Sequence, residues 1–160
     1  MQKGLQKLVD SLELELLAED RFTGIGNFDS GGRIYGGLLL AQAVTAAQKT
    51  AGEGRQMHSV HACFLSMGDV DAPVEYAVQR LRDGRSYCSR YVEARQQQRT
   101  IFTATLSFQL PEGGPEYQAP MPDVQGPENL QPESEFIGDF VSASPFDWPM
   151  EMRYVDPMDM

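Results

Sequence analysis

Positive charge is scarce in this 160-residue sequence, where 13 Lys and Arg stand against 23 Asp and Glu for a formal net charge of -10. Nucleic-acid binding needs clustered Lys and Arg to neutralise phosphates, so the composition argues against it, and against an anionic membrane surface. A small anion stays admissible, because a few local cations suffice for one. Cysteine is equally sparse: Cys63 and Cys88 are the two present. Both lie inside strand-like segments, which suits buried thiols in a reducing cytoplasm better than a disulfide. No apolar run approaches the ~20 residues of a membrane span. Met1 to Leu8 lacks the apolar block of a signal peptide. There is no Gly-x-Ser-x-Gly elbow, phosphate-loop glycine–lysine signature, His-Glu-x-x-His or paired Cys-x-x-Cys. Serine-hydrolase, nucleotidase and zinc-enzyme chemistry are therefore poorly supported.

Proline is nearly missing from the first 110 residues, with Pro73 alone there, while nine of the ten prolines follow Leu110. Proline cannot donate to a sheet ladder, so the sheet should end near Leu110. Residues 111 to about 146 read as an extended Pro- and Glu-rich linker, with Phe136, Phe140, Phe146 and Trp148 as apolar anchors. Met150 to Val155 resembles the opening of a strand that soon stops. The expected organisation is a domain at 1–112, a linker at 113–146 and the start of a second, missing unit at 147–160.

Within the first part, Leu5, Leu8, Val9 and Leu12 recur at i, i+3, i+4 and i+7, a short amphipathic helix. Leu14 to Phe28 reads as a first strand interrupted at Glu19-Asp20, and Asp29 to Gly32 as a loop. From about Leu38 to Thr50 a helix carries no charge until Lys49, with Gln42, Thr45 and Lys49 on one narrow polar stripe. A surface helix would show a charged face, so protein should cover this one on nearly every side. Strands are predicted at Met57–Met67, Pro73–Leu81, Tyr87–Arg95 and Thr100–Leu110. The last alternates cleanly, with Phe102, Ala104, Leu106, Phe108 and Leu110 on one face. Arg82-Asp83-Gly84-Arg85 is a predicted tight hairpin turn, Asp-Gly tolerating positive φ.

A strand, one buried helix and four antiparallel strands is the order of the hotdog fold. This is an α+β architecture in which an antiparallel sheet wraps one long central helix. Particular residues carry a further likeness: Tyr35-Gly36-Gly37 with Ala41-Gln42-Ala43; His58-Ser59-Val60-His61 with Phe64-Leu65 and Gly68-Asp69; Leu81 to Tyr87 with Arg90; and Ile101-Phe102, Ser107-Phe108-Gln109 and Pro111-Glu112. In these the chain resembles the acyl-CoA thioesterase II family, whose members carry two hotdog units in one polypeptide. The likeness spans roughly Leu5 to Glu112, and Met152 to Val155 sits where the second unit would begin.

The resemblance implies hydrolysis of fatty acyl-CoA to free fatty acid and CoA, by an activated water without a covalent intermediate. It implies no metal or redox cofactor, with coenzyme A entering only as part of the substrate. The family's water-orienting Asp, Ser or Thr, and Gln belong to the second unit, so no catalytic residue is assigned here. The sequence is then either part of a double-hotdog enzyme, which is the expectation, or a single unit that pairs with copies of itself. Homo-oligomerisation or pairing with a second hotdog unit follows, in a cytoplasmic protein without a membrane span.

Substrate-binding candidates are Gly36, Gly37, His58, Arg82, Gly84 and Ser86. The amides of Gly36 and Gly37 at a helix N-terminus can hold a carbonyl oxygen or oxyanion, although the glycines could equally serve only the turn. His58 and His61, three apart on a strand, should face opposite sides, too far apart to share a metal. His58 should share the face of Val60, Ala62 and Phe64, near the pocket mouth. Arginine forks suit phosphate oxygens. The resemblance accordingly suggests Arg82, Gly84 and Ser86 near the nucleotide and phosphates of coenzyme A, the plainer reading being a solvated turn or an Arg82–Asp83 pair. Acyl-thioester hydration or dehydration, and a non-catalytic acyl-CoA-binding or scaffold unit, are the rival functions, since fold does not fix chemistry.

Overall fold

In a computed structural model, residues 3–26, 32–133, 135 and 151–155 are described. The loop residues 29–31 and the aromatic anchors Phe136, Phe140, Phe146 and Trp148 lie outside them. The chain divides into Val9–Glu112 and a second unit of Met1–Leu8 with Gly113–Met160.

Helix α1 runs Lys3–Ser11 and helix α2 Gly36–Gln48. The strands are β1 (Glu15–Ala18), β2 (Arg21–Ile25), β3 (Gln56–Phe64), β4 (Pro73–Asp83), β5 (Tyr87–Gln96) and β6 (Arg99–Gln109). They form one sheet in the order β1-β2-β4-β5-β6-β3, every pairing antiparallel. The expected single first strand is two. Asp20 adopts φ 56°, turning the chain back on itself, and Arg80 holds its carboxylate at 2.7 and 2.9 Å.

Helix α2 lies on one face of the sheet and touches every strand from β2 to β6. Period-two alternation supplies that face: Val74, Tyr76 and Val78 from β4, Cys88, Val92 and Ala94 from β5, and Phe102, Ala104, Leu106 and Phe108 from β6 are buried. Against them pack Leu38, Leu39, Ala43, Ala46 and Ala47 of α2. Burying one such Leu or Phe contributes about 1.5–3 kcal/mol. The helix is less enclosed than its composition predicts. Leu40, Ala41, Val44 and Thr45 are half-buried, and Gly37 and Gln48 are exposed.

The polar stripe runs from the exposed Lys49 through the half-buried Thr45 to an interior Gln42. Gln42 is 0 % exposed; its Nε2 donates to Ser11 O at 2.7 Å and Ile25 O at 3.2 Å, and its Oε1 accepts from the Tyr76 hydroxyl at 2.7 Å. One amide thus ties α2 to the end of α1, to β2 and to β4, which satisfies the buried polar groups it meets. Burial pushes the Tyr76 pKa up, so the hydroxyl remains the donor of this pair.

In the second unit, residues 113–126 have no regular secondary structure. A single 3-10 turn at Pro127–Asn129 precedes a lone antiparallel bridge between Pro132 and Arg153. Arg153 donates to Pro127 O at 2.9 Å and Leu130 O at 2.7 Å, and Tyr154 to Glu133 Oε1 at 2.7 Å. Among the described residues the Met152–Val155 segment therefore forms one bridge and no strand.

Candidate functional site

The hairpin joining β4 to β5 gathers four guanidiniums in a chain that is short of cations. Arg90 alternates with Cys88 and Val92 on the core face of β5 and is 0 % exposed. Each of its five N–H groups has an acceptor within reach. Nε meets Thr50 Oγ1 at 2.8 Å; Nη1 meets Arg82 O at 3.1 Å and Ser89 O at 2.9 Å; Nη2 meets Thr50 O at 2.8 Å and Asp83 Oδ1 at 2.5 Å. A cation just past the end of α2 also complements the helix dipole. Asp83, the one acid of the tip, is therefore engaged by an internal arginine, and the expected alternative of an Arg82–Asp83 pair is not what forms.

Arg55 supplies the second support, donating from Nη2 to Gly84 O at 2.8 Å and Arg85 O at 3.3 Å. Arg82 and Arg85 remain exposed, and among the described residues they are the arginines whose side chains have no hydrogen-bond or ion-pair partner. The turn differs from the Asp-Gly prediction. β4 continues through Asp83, which pairs with Cys88, and neither Asp83 nor Gly84 has positive φ. Glycine is needed for close approach instead: Gly84 N donates to Tyr87 O at 2.8 Å, and a Cβ at Gly84 would lie 2.9 Å from that oxygen. Ser86 O accepts from Leu110 N at 2.9 Å, anchoring the other limb.

His58 is not where the alternation predicts. A bulge between Met57 and Ser59 makes it an extra residue of β3 and turns it onto the outer face with Ser59. There its Nε2 lies 2.8 Å from Ser107 Oγ and its ring meets Tyr87 edge-on at 5.6 Å. It does not share the face of Val60, Ala62 and Phe64, and it lies on the same side as His61, whose register partner is Thr105. Cys88 is buried as expected, but Cys63 on β3 is exposed.

Gly36 and Gly37 open α2 after Tyr35, an N-cap without a side-chain cap bond. A Cβ on Gly36 would meet Phe64 Cε1 at 2.9 Å, and one on Gly37 would meet Tyr35 Cε1 at 2.5 Å. Two aromatic rings thus occupy the space that the missing side chains leave. The candidates do not converge. Arg82, Gly84, Ser86 and His58 sit beyond the C-terminal end of α2, where Thr50 meets Arg90, while Gly36 and Gly37 sit at its N-terminus. Thirteen helical residues separate the two ends, roughly 20 Å. Sequence reasoning missed Tyr35, Phe64 and Arg55. The signal available for Arg55 was its place after the glycines that end the helix. Among the described residues no group of three or more His, Cys, Asp or Glu could hold a metal ion.

A hotdog-fold protein from Alicyclobacillus acidocaldarius superposes with TM-score 0.70 at 22% identity, over 79% of this chain and 48% of that one. The fold is thus the hotdog. The sequence profile described as acyl-CoA thioesterase N-terminal domain matches residues 25–109. The chain belongs to the acyl-CoA thioesterase family and aligns with its N-terminal domain. Acyl-CoA thioesterase 2 of Haemophilus influenzae is 39% identical over 86% of this chain and 48% of its own length. A tesB protein of Mycobacterium avium subsp. paratuberculosis matches with TM-score 0.74 and 38% identity, over 79% of this chain and 50% of that one. The chain spans about half the length of these relatives.

Proposed function

We propose that this chain is the N-terminal half of a thioesterase that hydrolyses fatty acyl-CoA, and that it grips the coenzyme A end of the substrate. In the reaction, water oxygen adds to the thioester carbonyl, the C–S bond breaks, and the departing thiolate takes up a proton to give CoA and a free fatty acid. The observation that carries the binding role is the pair of unpartnered guanidiniums, Arg82 and Arg85, held at one tip of a strongly acidic chain. Such forks match phosphate oxygens. Gly36 and Gly37 amides at the far end of α2 are the proposed carbonyl contact, with the pantetheine arm running along the helix between them. Two free cysteines fit a reducing, cytoplasmic setting. His58, on the outer face beside Tyr87, is proposed only as a neighbour of the phosphate end.

The water-holding groups are proposed to come from a second hotdog unit, either in the same polypeptide or in a paired chain. The names of the relatives favour hydrolysis over hydration. The 160-residue chain should bind a non-hydrolysable acyl-CoA analogue in calorimetry while turning over little acyl-CoA, and turnover should return when a second hotdog unit is supplied. Hydrated thioester without free acid, detected by mass spectrometry after incubation of the paired protein with crotonyl-CoA, would overturn the hydrolytic reading.

A further inference from the structure

We propose that Arg55 is a positioning residue for phosphate recognition. By holding the carbonyls of Gly84 and Arg85 it sets the hairpin so that Arg82 and Arg85 face solvent as a preformed fork. This rests on the reading of the tip as the coenzyme A phosphate site.

The loop after α2 is built to deliver this side chain. Gly52 takes φ 87°, and a Cβ there would lie 2.9 Å from Arg55 Nη1, so glycine clears the path of the guanidinium as well as making the turn. Gln48 Nε2 donates to Arg55 O at 2.9 Å, fixing the backbone from which the side chain leaves. Nη1 reaches Ala51 O at 3.4 Å, while Nη2 bridges two successive carbonyls of the tip. Nε is buried without a partner. The contacts this side chain makes beyond its own loop fall on the tip, as the grip on Gly84 and Arg85.

Arg90 holds the other limb through Arg82 O. The carbonyls of Arg82, Gly84 and Arg85 thus all point at internal guanidiniums, so they do not face a ligand whose phosphates they would repel. Holding the tip in one shape before binding removes an ordering cost from association.

The test measures coenzyme A binding by titration calorimetry on the 160-residue chain and on Arg55→Met, Arg55→Lys, Arg82→Ala/Arg85→Ala, and the triple variant with Arg55→Met. Lysine keeps the charge but lacks the planar fork that spans two carbonyls. If Arg55 positions the tip, Arg55→Lys and Arg55→Met both weaken binding, about tenfold, and Arg55→Met adds nothing once Arg82 and Arg85 are gone. Wild-type affinity in Arg55→Lys would overturn the proposal, and this variant decides alone if Arg55→Met fails to fold. An equal further loss in the triple variant would also overturn it, because Arg55 would then act independently of the fork. If the wild-type chain does not bind coenzyme A, or Arg82→Ala/Arg85→Ala binds like wild type, the phosphate-site reading itself falls and the role of Arg55 with it.

Discussion

Gln42 is the residue on which most of the assembly converges. Replacing it with Leu would orphan the buried Tyr76 hydroxyl and the Ser11 carbonyl. The expected loss is about 2–3 kcal/mol by urea titration. Adding Tyr76→Phe should recover part of it, because the orphaned hydroxyl goes too; a neutral Gln42→Leu would remove the network from the account. Asp20 gives a pH-dependent counterpart. The hydrogen bond from Arg80 holds its carboxyl below the ordinary 3.8, burial opposing and the charges of Arg80 and Arg90 assisting. A lowered folded-state pKa contributes stability above the unfolded value, lost as pH falls through the folded one. The advantage of wild type over Asp20→Asn should therefore be full at neutral pH, begin to fall near 3.8, and be gone once pH has dropped through the lowered folded-state value. The effect is small, because both partners are partly exposed. An advantage unchanged in acid would refute it.

Packing of the elements rests on close approach at a few glycines. A Cβ at Gly24 in β2 would meet Leu14 Cδ2 at 2.7 Å and Gln42 Nε2 at 2.8 Å, and both of those side chains are buried. Gly24→Ala should destabilise by about 1–3 kcal/mol, since neither neighbour can retreat. Gly37→Ala meets the outer end of the exposed Tyr35 ring rather than a buried side chain. Thermal unfolding of the two variants should separate them, with Gly37→Ala near wild type; equal losses would contradict the packing. Boundaries of the long strands were legible in sequence because β4, β5 and β6 bury alternate residues. The β1–β2 reversal and the His58 bulge were not, since a turn at a non-glycine positive φ and an extra residue in a ladder leave the composition of the segment unchanged.

At the scale of the whole molecule, β3 forms one edge of the sheet. Among the described residues it pairs only with β6, and its inner-face residues Val60 and Phe64 are 37% and 59% exposed, with Leu65 and Met67 beyond them at 56% and 70%. An unpaired apolar edge invites association. The proposed pairing predicts self-association at micromolar concentration in sedimentation equilibrium, abolished by Val60→Lys. A monomer at every concentration would count against a self-sufficient single unit. Self-pairing is the alternative to the occupant expected from the sequence, a second hotdog unit of the same polypeptide; the chain spans about half the length of its relatives.

The order of elements, the uncharged helix and the alternating strands were determined by the sequence itself, because burial on one face imposes a period that composition records. The family likeness was legible for the same stretch. Which arginines are free was decided only by the tertiary structure. Arg55, Arg82, Arg85 and Arg90 carry the same charge on paper. A guanidinium's role depends on whether carbonyls from distant segments reach it, and the Thr50, Gly84 and Asp83 acceptors come together only when α2 docks on the sheet.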